Sequence, residues 1–455
     1  MIVEQFYTSC LSQASYYIEC KGEVAIIDPS REIDHFLDKA KSSNSKIKYI
    51  FQTHFHADFV SGFLTLSKKT DAPIVYGPNA DPSYDCVIAK EDDTFKIGNS
   101  TIKVIHTPGH TLESTSYLLI DSKNMQHSIF TGDTLFLGDV GIPDVAQRYK
   151  GMSKEDLAGV LYDSINNKIK LLDDHITVYP GHGAGSACGK SMMKETVDTL
   201  SNQKIINYSL NGTYNKKEFI KELTNNLPDP PAYFPANVKL NQEGCDDLKT
   251  VMSKSLNEIS PKDYDELINN ERVVIIDTRD SSIFSKYHLP NSIFIGLSGR
   301  FAPWVGEVLK DVNTPIIIVS NSGKEKEAIM RLARIGFDNC LGYINLDNKN
   351  QIYRYSEPVF LKSIEPKEFI KLDENHSIVD VRTENEFNNG SYMTANNIPL
   401  NTISDKIDHI SDKSYIFCAG GYRSVIACSI LMKNGKKDLI NVLQGYGGIK
   451  NEMDL

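Results

Sequence analysis

Short runs of β-branched and aromatic residues, interrupted by Gly, Asp, Asn and Pro, fill roughly the first 225 residues and predict strands at 24–28, 46–52, 101–106, 116–120 and 128–131. The second half has another rhythm. Val274-Ile-Ile-Asp-Thr-Arg279 returns 103 residues later as Ser377-Ile-Val-Asp-Val-Arg382, each copy a buried-type strand closed by Asp-x-Arg. A second apolar run follows in both copies, at 315–320 and 414–418, and then a short loop and a helical stretch, at 325–334 and 423–434. Strand, loop and helix repeated in this way predict two α/β modules of about 100 residues each. Between the halves lies Leu227-Pro-Asp-Pro-Pro-Ala-Tyr-Phe-Pro235, which reads as a seam because proline lacks the N–H that helix and sheet ladders use. The expected division is an N-terminal domain at 1–235 and α/β modules at 255–362 and 363–455.

Composition narrows the possible partners. The chain of 455 residues carries a formal charge of −10, which argues against a nucleic-acid reader with a broad basic surface. No apolar run approaches the ~20 residues of a membrane helix, and the N-terminus lacks a basic segment followed by an apolar one. A soluble, cytoplasmic protein without a membrane partner is expected. The eight cysteines contain no C-x-x-C pair, so a special cysteine here is reactive rather than structural.

Candidate chemistry concentrates in the histidines, seven of which lie between residues 54 and 182. Thr53-His-Phe-His-Ala-Asp-Phe59 directly follows a predicted strand and presents His54, His56 and Asp58. Further on come His110 in Thr107-Pro-Gly-His-Thr111, Asp133 in Thr131-Gly-Asp-Thr134 and His182 in Tyr179-Pro-Gly-His182. One histidine at a strand end is usually a hydrogen-bonded structural residue. The whole set, in this order, points to metal.

This ordered set resembles the metallo-β-lactamase superfamily over about residues 1–225. The resemblance implies an αββα sandwich with a metal site at the edge of its two sheets. The superfamily's two-metal pattern reads H-x-H-x-D-H, and its last position is Phe59 here. One ligand of the second metal is therefore missing, which counts against a dinuclear zinc hydrolase of the glyoxalase II kind and leaves a mononuclear centre. Within the superfamily the sequence most resembles the persulfide dioxygenases, in which two His and one Asp hold ferrous iron. That resemblance assigns His54, His110 and Asp133 to one Fe(II) per chain, with His56, Asp58 and His182 orienting ligands or bound water. A face of two histidines and one carboxylate leaves positions open for dioxygen and a thiolate-type sulfur together. His54, His56 and His110 would serve equally as a zinc triad, so zinc stays the alternative.

The stretch Ala184-Gly-Ser-Ala-Cys-Gly-Lys-Ser191 nearly spells a phosphate-binding loop, but Ala184 stands where the first glycine is required, and nucleotide binding is rejected. Cys188, six residues past His182, is open between two roles: a sulfur-holding group beside the metal, or a buried small apolar residue.

In the second repeat, Cys418-Ala-Gly-Gly-Tyr-Arg-Ser424 lies between strand and helix. Its glycines let successive backbone N–H groups turn inward, the following helix adds the positive end of its dipole, and Arg423 adds charge. All three favour a thiolate, which makes Cys418 the best nucleophile in the chain. The arrangement resembles the rhodanese domains, sulfurtransferases that carry sulfane sulfur as a cysteine persulfide in this loop. The first repeat has Ser320-Asn-Ser-Gly-Lys-Glu at the same place, and a serine cannot hold a persulfide. Residues about 258–360 therefore read as an inactive rhodanese, with Cys340 a packing residue and Trp304 expected in the core.

The full order of modules resembles bacterial persulfide dioxygenase–sulfurtransferase fusions of sulfide detoxification. The implied partners are a small thiol persulfide, O2, and sulfite or thiosulfate. The resemblance implies oxidation of the persulfide to sulfite at iron and transfer of sulfane sulfur through Cys418, with thiosulfate the product when sulfite is the acceptor. Two rivals stand: a zinc-dependent, glyoxalase II-like thioester hydrolase fused to a sulfurtransferase, and a non-catalytic sulfur-trafficking protein. Related dioxygenases often carry an Arg where Gly141-Ile-Pro-Asp144 has Ile142, so the thiol carrier stays open. A three-module enzyme with a non-catalytic middle is expected to be a homo-oligomer.

Overall fold

Successive residues of a strand face opposite ways, so an apolar run buried on both sides must meet two different cores. The N-terminal half does this twice. The computed structural model describes residues 1–143, 149, 151–227, 229–373 and 375–453. One six-stranded sheet takes β1 (Ile2–Thr8), β2 (Gln13–Cys20), β3 (Glu23–Ile27), β4 (Lys46–Phe51), β5 (Ile74–Tyr76) and β6 (Val87–Ile88) in sequence order. A second takes β7 (Thr94–Ile97), β8 (Ser100–His106), β9 (Thr115–Ile120), β10 (Gln126–Gly132), β11 (Thr177–Pro180) and β12 (Asp198–Thr199), also in order. Tyr16, Ile18, Phe51, Val104, Tyr117 and Phe130 fill the space between the sheets. On the outer face of the first sheet, Tyr17, Ile26 and Ile50 pack on Phe36 of α1 (Asp34–Ser42) and Phe63 and Leu66 of α2 (Phe63–Thr70). On the outer face of the second, Leu118, Ile129 and Val178 pack on Leu161 and Ile165 of α3 (Lys154–Asn167), while α4 (Leu200–Ile206) and α5 (Lys216–Thr224) add Leu200, Phe219 and Leu223. The result is an αββα sandwich.

The proline-rich stretch does not end this unit. Helix α6 (Phe234–Glu243) starts inside it with Pro235 in the first turn, where the missing N–H would have no helical partner. Asn241 on α6 donates to the carbonyls of His56 and Phe59 at 2.8 Å each, so the helix holds the loop that carries the first histidines. The compact unit runs from Met1 to Leu248 and includes Ala333–Gly336; Pro228, within the expected seam, lies outside the described residues.

The second unit, Lys249–Leu332 with Phe337–Leu455, contains both repeats. After α7 (Leu248–Ser255) and α8 (Pro261–Leu267), the first repeat runs β13 (Val274–Asp277), α9 (Ser281–Lys286), β14 (Ile293–Phe294), α10 (Phe301–Leu309), β15 (Ile316–Ser320), α11 (Glu325–Ala333), β16 (Cys340–Asn345) and α12 (Lys349–Ile352). The second runs β17 (Lys362–Ile364), α13 (Pro366–Phe369), β18 (Ile378–Asp380), α14 (Glu384–Asn388), β19 (Asn396–Asn397), β20 (Tyr415–Phe417), α15 (Tyr422–Lys433), β21 (Ile440–Val442) and α16 (Gly445–Met453). Each sheet is parallel, in the orders β14-β13-β15-β16 and β17-β21-β20-β18-β19. Asp277 pairs with Val319 and Asp380 with Phe417, so Ser320 and Cys418 follow equivalent positions. Trp304, on α10, is half-buried rather than a core residue. Cys340 is buried as expected, and burial pushes its thiol up to about 12. No helix among the described residues is long and apolar enough to cross a membrane.

Candidate metal centre and sulfur-transfer loop

The N-terminal histidines converge where β4, β8 and β10 end. Ligand atoms of His54, His110 and Asp133 all lie within 4.8 Å of one another, and the three side chains are buried. His110 Nε2 is 3.6 Å and His54 Nε2 3.9 Å from the same oxygen, Asp133 Oδ2. Hydrogen bonds on the far side of each ring set its tautomer. His110 Nδ1 donates to the Ile142 carbonyl at 2.8 Å. Thr53 Oγ1 donates to Asp28 Oδ2 at 2.8 Å and so accepts from His54 Nδ1 at 2.9 Å. Both Nε2 atoms thus turn a lone pair inward. Neither buried oxygen of Asp133 has a hydrogen-bond partner among the described residues. Two imidazole lone pairs and an unpartnered carboxylate suit a divalent cation, whose binding would offset the cost of burying that charge.

Backbone chemistry shapes this pocket. The pairing of β10 with β11 shifts register between Phe130 and Gly132, which turns Asp133 out of the ladder. Gly132 has φ +48°, and a Cβ there would lie 2.6 Å from the Thr53 side chain. A Cβ on Gly181 would lie 2.5 Å from Asp133 Oδ1.

A second cluster adjoins the first. Ligand atoms of His56, Asp58 and His182 also lie within 4.8 Å of one another. His182 Nε2 is 3.5 Å from Asp58 Oδ2 and 3.6 Å from Asp133 Oδ1, and His56 Nε2 is 3.1 Å from Asp28 Oδ1. Burial raises the Asp58 carboxyl above its ordinary range, against the pull of His182. Phe59 lies over His56, with ring centroids 4.3 Å apart. Cys188 is buried, and its Sγ lies within the same reach of Asp133 and His182. Asp139 accepts from the backbone of Lys190 and Ser191 at 2.7 and 2.6 Å, and Ile142 N donates to the Cys188 carbonyl at 2.9 Å. The backbone of Ile142 thereby links His110 to the Cys188 turn. Asp144 lies outside the described residues.

In the other unit, Cys418 is buried at the end of β20 and receives the Gly421 N–H on Sγ at 3.1 Å. Gly421, at φ +91°, makes the turn into α15 that aims this N–H at sulfur. Ser424 Oγ lies 3.6 Å from Sγ. Tyr422 is held by the first repeat, its hydroxyl donating to the Gly296 carbonyl at 3.1 Å. Arg423 is tied by both terminal nitrogens to Glu386, at 2.7 and 2.6 Å, a partner the sequence reading left out.

Comparisons with known proteins agree with this division. The sequence profile of the metallo-beta-lactamase superfamily matches residues 8–85, and that of the rhodanese-like domain matches residues 260–346 and 365–452. A probable polyketide biosynthesis zinc-dependent hydrolase of Bacillus velezensis is 34% identical over 177 residues, covering 38% of this chain and 72% of that protein. A crystal structure of a metallo-beta-lactamase from Staphylococcus aureus is 31% identical with a TM-score of 0.67, covering 76% of this chain and 99% of that one. The chain belongs to the metallo-β-lactamase superfamily. Its N-terminal metallo-β-lactamase domain is followed by two rhodanese-like domains. A probable hydroxyacylglutathione hydrolase of Schizosaccharomyces pombe is 29% identical over 174 residues, 37% of this chain, and the match spans 62% of that relative's length.

Residues holding the clustered side chains in place were less legible than the cluster itself. Asp28 accepts from Thr53 N and Oγ1, and its only sequence signal is an acidic residue closing an apolar strand before Pro29. Glu386 signals itself by the spacing Thr383-x-x-Glu386, which forms a capping box on α14.

Proposed function

We propose that the chain is a persulfide dioxygenase–sulfurtransferase that converts a thiol persulfide, dioxygen and water into a thiol and sulfite. The balance is R–S–SH + O2 + H2O giving R–SH, SO3²⁻ and two protons. The observation that carries this reading is the triad of His54, His110 and Asp133, with Phe59 occupying the place of the sixth residue of the two-metal pattern. These three side chains would hold one ferrous ion, with His56, Asp58 and His182 orienting what binds beside it. Ferrous iron supplies the redox chemistry by which dioxygen reacts with a sulfur anion. The chain's own groups do the positioning. Asp28 and Thr53 hold His54, and the Ile142 carbonyl holds His110. Burial of the site keeps bulk water from its donors. Cys188, beside Asp133 and His182, is a candidate holder of substrate or product sulfur.

At the second site Cys418 carries sulfane sulfur as a persulfide. Sulfite attacking the outer sulfur of that persulfide would give thiosulfate and restore the thiolate. A serine in the other repeat confines this role to one module.

A second reading has its own support: His56, Asp58 and His182 could take a second cation, and the two curated relatives are named as hydrolases. A zinc-dependent thioester hydrolase would follow. Anaerobically purified protein given glutathione persulfide and, separately, an acylated glutathione thioester distinguishes the two. Oxygen uptake with sulfite formation and no thioester cleavage supports the dioxygenase. Thioester cleavage without oxygen uptake overturns it.

A further inference from the structure

The two repeats are an internal control for which charges serve folding and which serve sulfur. Asp380 and Arg382 form a buried bidentate pair, and Asp277 with Arg279 forms the same pair in the other module. In each, the guanidinium also donates to a carbonyl eight residues on, Gly390 or Tyr287. That pair is present whether or not the module carries a cysteine, as architecture requires.

The Arg423–Glu386 pair behaves differently. Arg423 stands five residues after Cys418, and Glu386 is the third residue of α14, after the N-cap Thr383. The corresponding positions of the serine module are Glu325, five residues after Ser320, and Ile283, the third residue of α9 after Asp280. Both members are absent where the thiol is absent. Glu386 is also fixed from behind: its Oε2 accepts from Thr383 N and Oγ1 at 3.0 Å each. A carboxylate so held fixes the planar guanidinium by two parallel bonds, leaving three of Arg423's five N–H donors uncommitted among the described residues.

We propose that Glu386 is a positioning residue for sulfur transfer, holding Arg423 at the Cys418 loop so that its remaining N–H groups bind the oxyanion end of a sulfur donor or acceptor of the thiosulfonate and sulfite class. This rests on Cys418 being the sulfur carrier. In the step concerned, the Cys418 thiolate attacks the sulfane sulfur of thiosulfate. A new S–S bond forms at Sγ, the bond to the sulfonate sulfur breaks, and its electron pair leaves on sulfite. The product is the Cys418 persulfide anion, and no outside oxidant or reductant takes part. Arg423 offsets the repulsion between two anions that must meet.

The test uses the full chain, with thiosulfate as donor and cyanide as acceptor, and follows thiocyanate. Glu386→Ala and Arg423→Gln should each lower kcat/KM for thiosulfate about tenfold or more, mainly through KM. The double variant should be no worse than Arg423→Gln alone. A second readout is the rate at which Cys418 is alkylated by anionic iodoacetate relative to neutral iodoacetamide; this ratio should fall about fivefold in both variants, which a purely structural role would not produce. If Glu386→Ala does not fold, Glu386→Gln, which keeps the volume and one acceptor, must lower the ratio instead. A folded Glu386 variant with wild-type KM and alkylation ratio overturns the proposal. Cys418→Ser separates the two levels: thiocyanate formation by that variant overturns both the carrier assignment and this inference.

Discussion

His54 and His110 are each held by the ring nitrogen that faces away from Asp133. Thr53 is the clearest case, since its hydroxyl joins Asp28 to His54 and its N–H also goes to Asp28. Thr53→Val keeps the shape and removes the hydroxyl that bonds both His54 Nδ1 and Asp28 Oδ2. The expected loss is ~1–3 kcal/mol of stability and about 10–100-fold in metal affinity, read by thermal melting and by metal retention against a chelator. Unchanged retention would show that the relay does not hold His54. The cluster of His54, His110 and Asp133 was legible because each is a histidine or aspartate at a strand end in a fixed order. Asp28 was not, because its role depends on a left-handed backbone, φ +47°, and on tertiary pairing of β3 with β4.

At the scale of elements, the strands expected at 24–28, 46–52, 101–106, 116–120 and 128–131 lie within two residues of the observed ends, while the two-residue edge strands β6 and β12 carry too little pattern to be seen. Helix α6 was hidden because prolines surround its start, although proline in a first helical turn is compatible with the fold. The β10–β11 register shift was equally silent. It gives a sharp prediction: Gly181→Ala, with its Cβ 2.5 Å from Asp133 Oδ1, should displace the carboxylate and reduce the metal bound per chain. Full metal content in that variant would contradict the placement of Asp133. In the repeats, Ser320→Cys in a Cys418→Ser background should not recover sulfur transfer, since Glu325 and Ile283 replace the positioned arginine and its carboxylate. Recovery measured as thiocyanate formation would show that the loop alone suffices.

The Glu386–Arg423 pair also has a pH signature. Arg423 holds the Glu386 carboxyl down to about 2 from 4.5, so in the folded state it binds a proton less readily than in the unfolded chain. The pair's contribution is therefore full above about 4.5 and is lost as pH falls towards about 2. Urea midpoints of wild type and Glu386→Gln should differ at pH 7, and the gap should narrow below about 4.5 and close only as pH approaches about 2; an equal gap at pH 7 and near pH 2 would assign the difference to packing.

For the whole molecule, the repeat at 274–279 and 377–382 anticipated two α/β modules, and the family resemblance carried by the histidine order implied the sandwich before them. The extent of the first unit was less legible, because Leu248 and the distant Ala333–Gly336 join it through contacts that leave no periodic trace. The proposed function needs a mononuclear oxidising centre and a persulfide-carrying cysteine in one chain. Elemental analysis of anaerobically purified protein, with oxygen uptake on adding a low-molecular-weight persulfide, tests it most directly. About one iron per chain and uptake that disappears in His110→Ala is the predicted result; zinc with no oxygen uptake would contradict it.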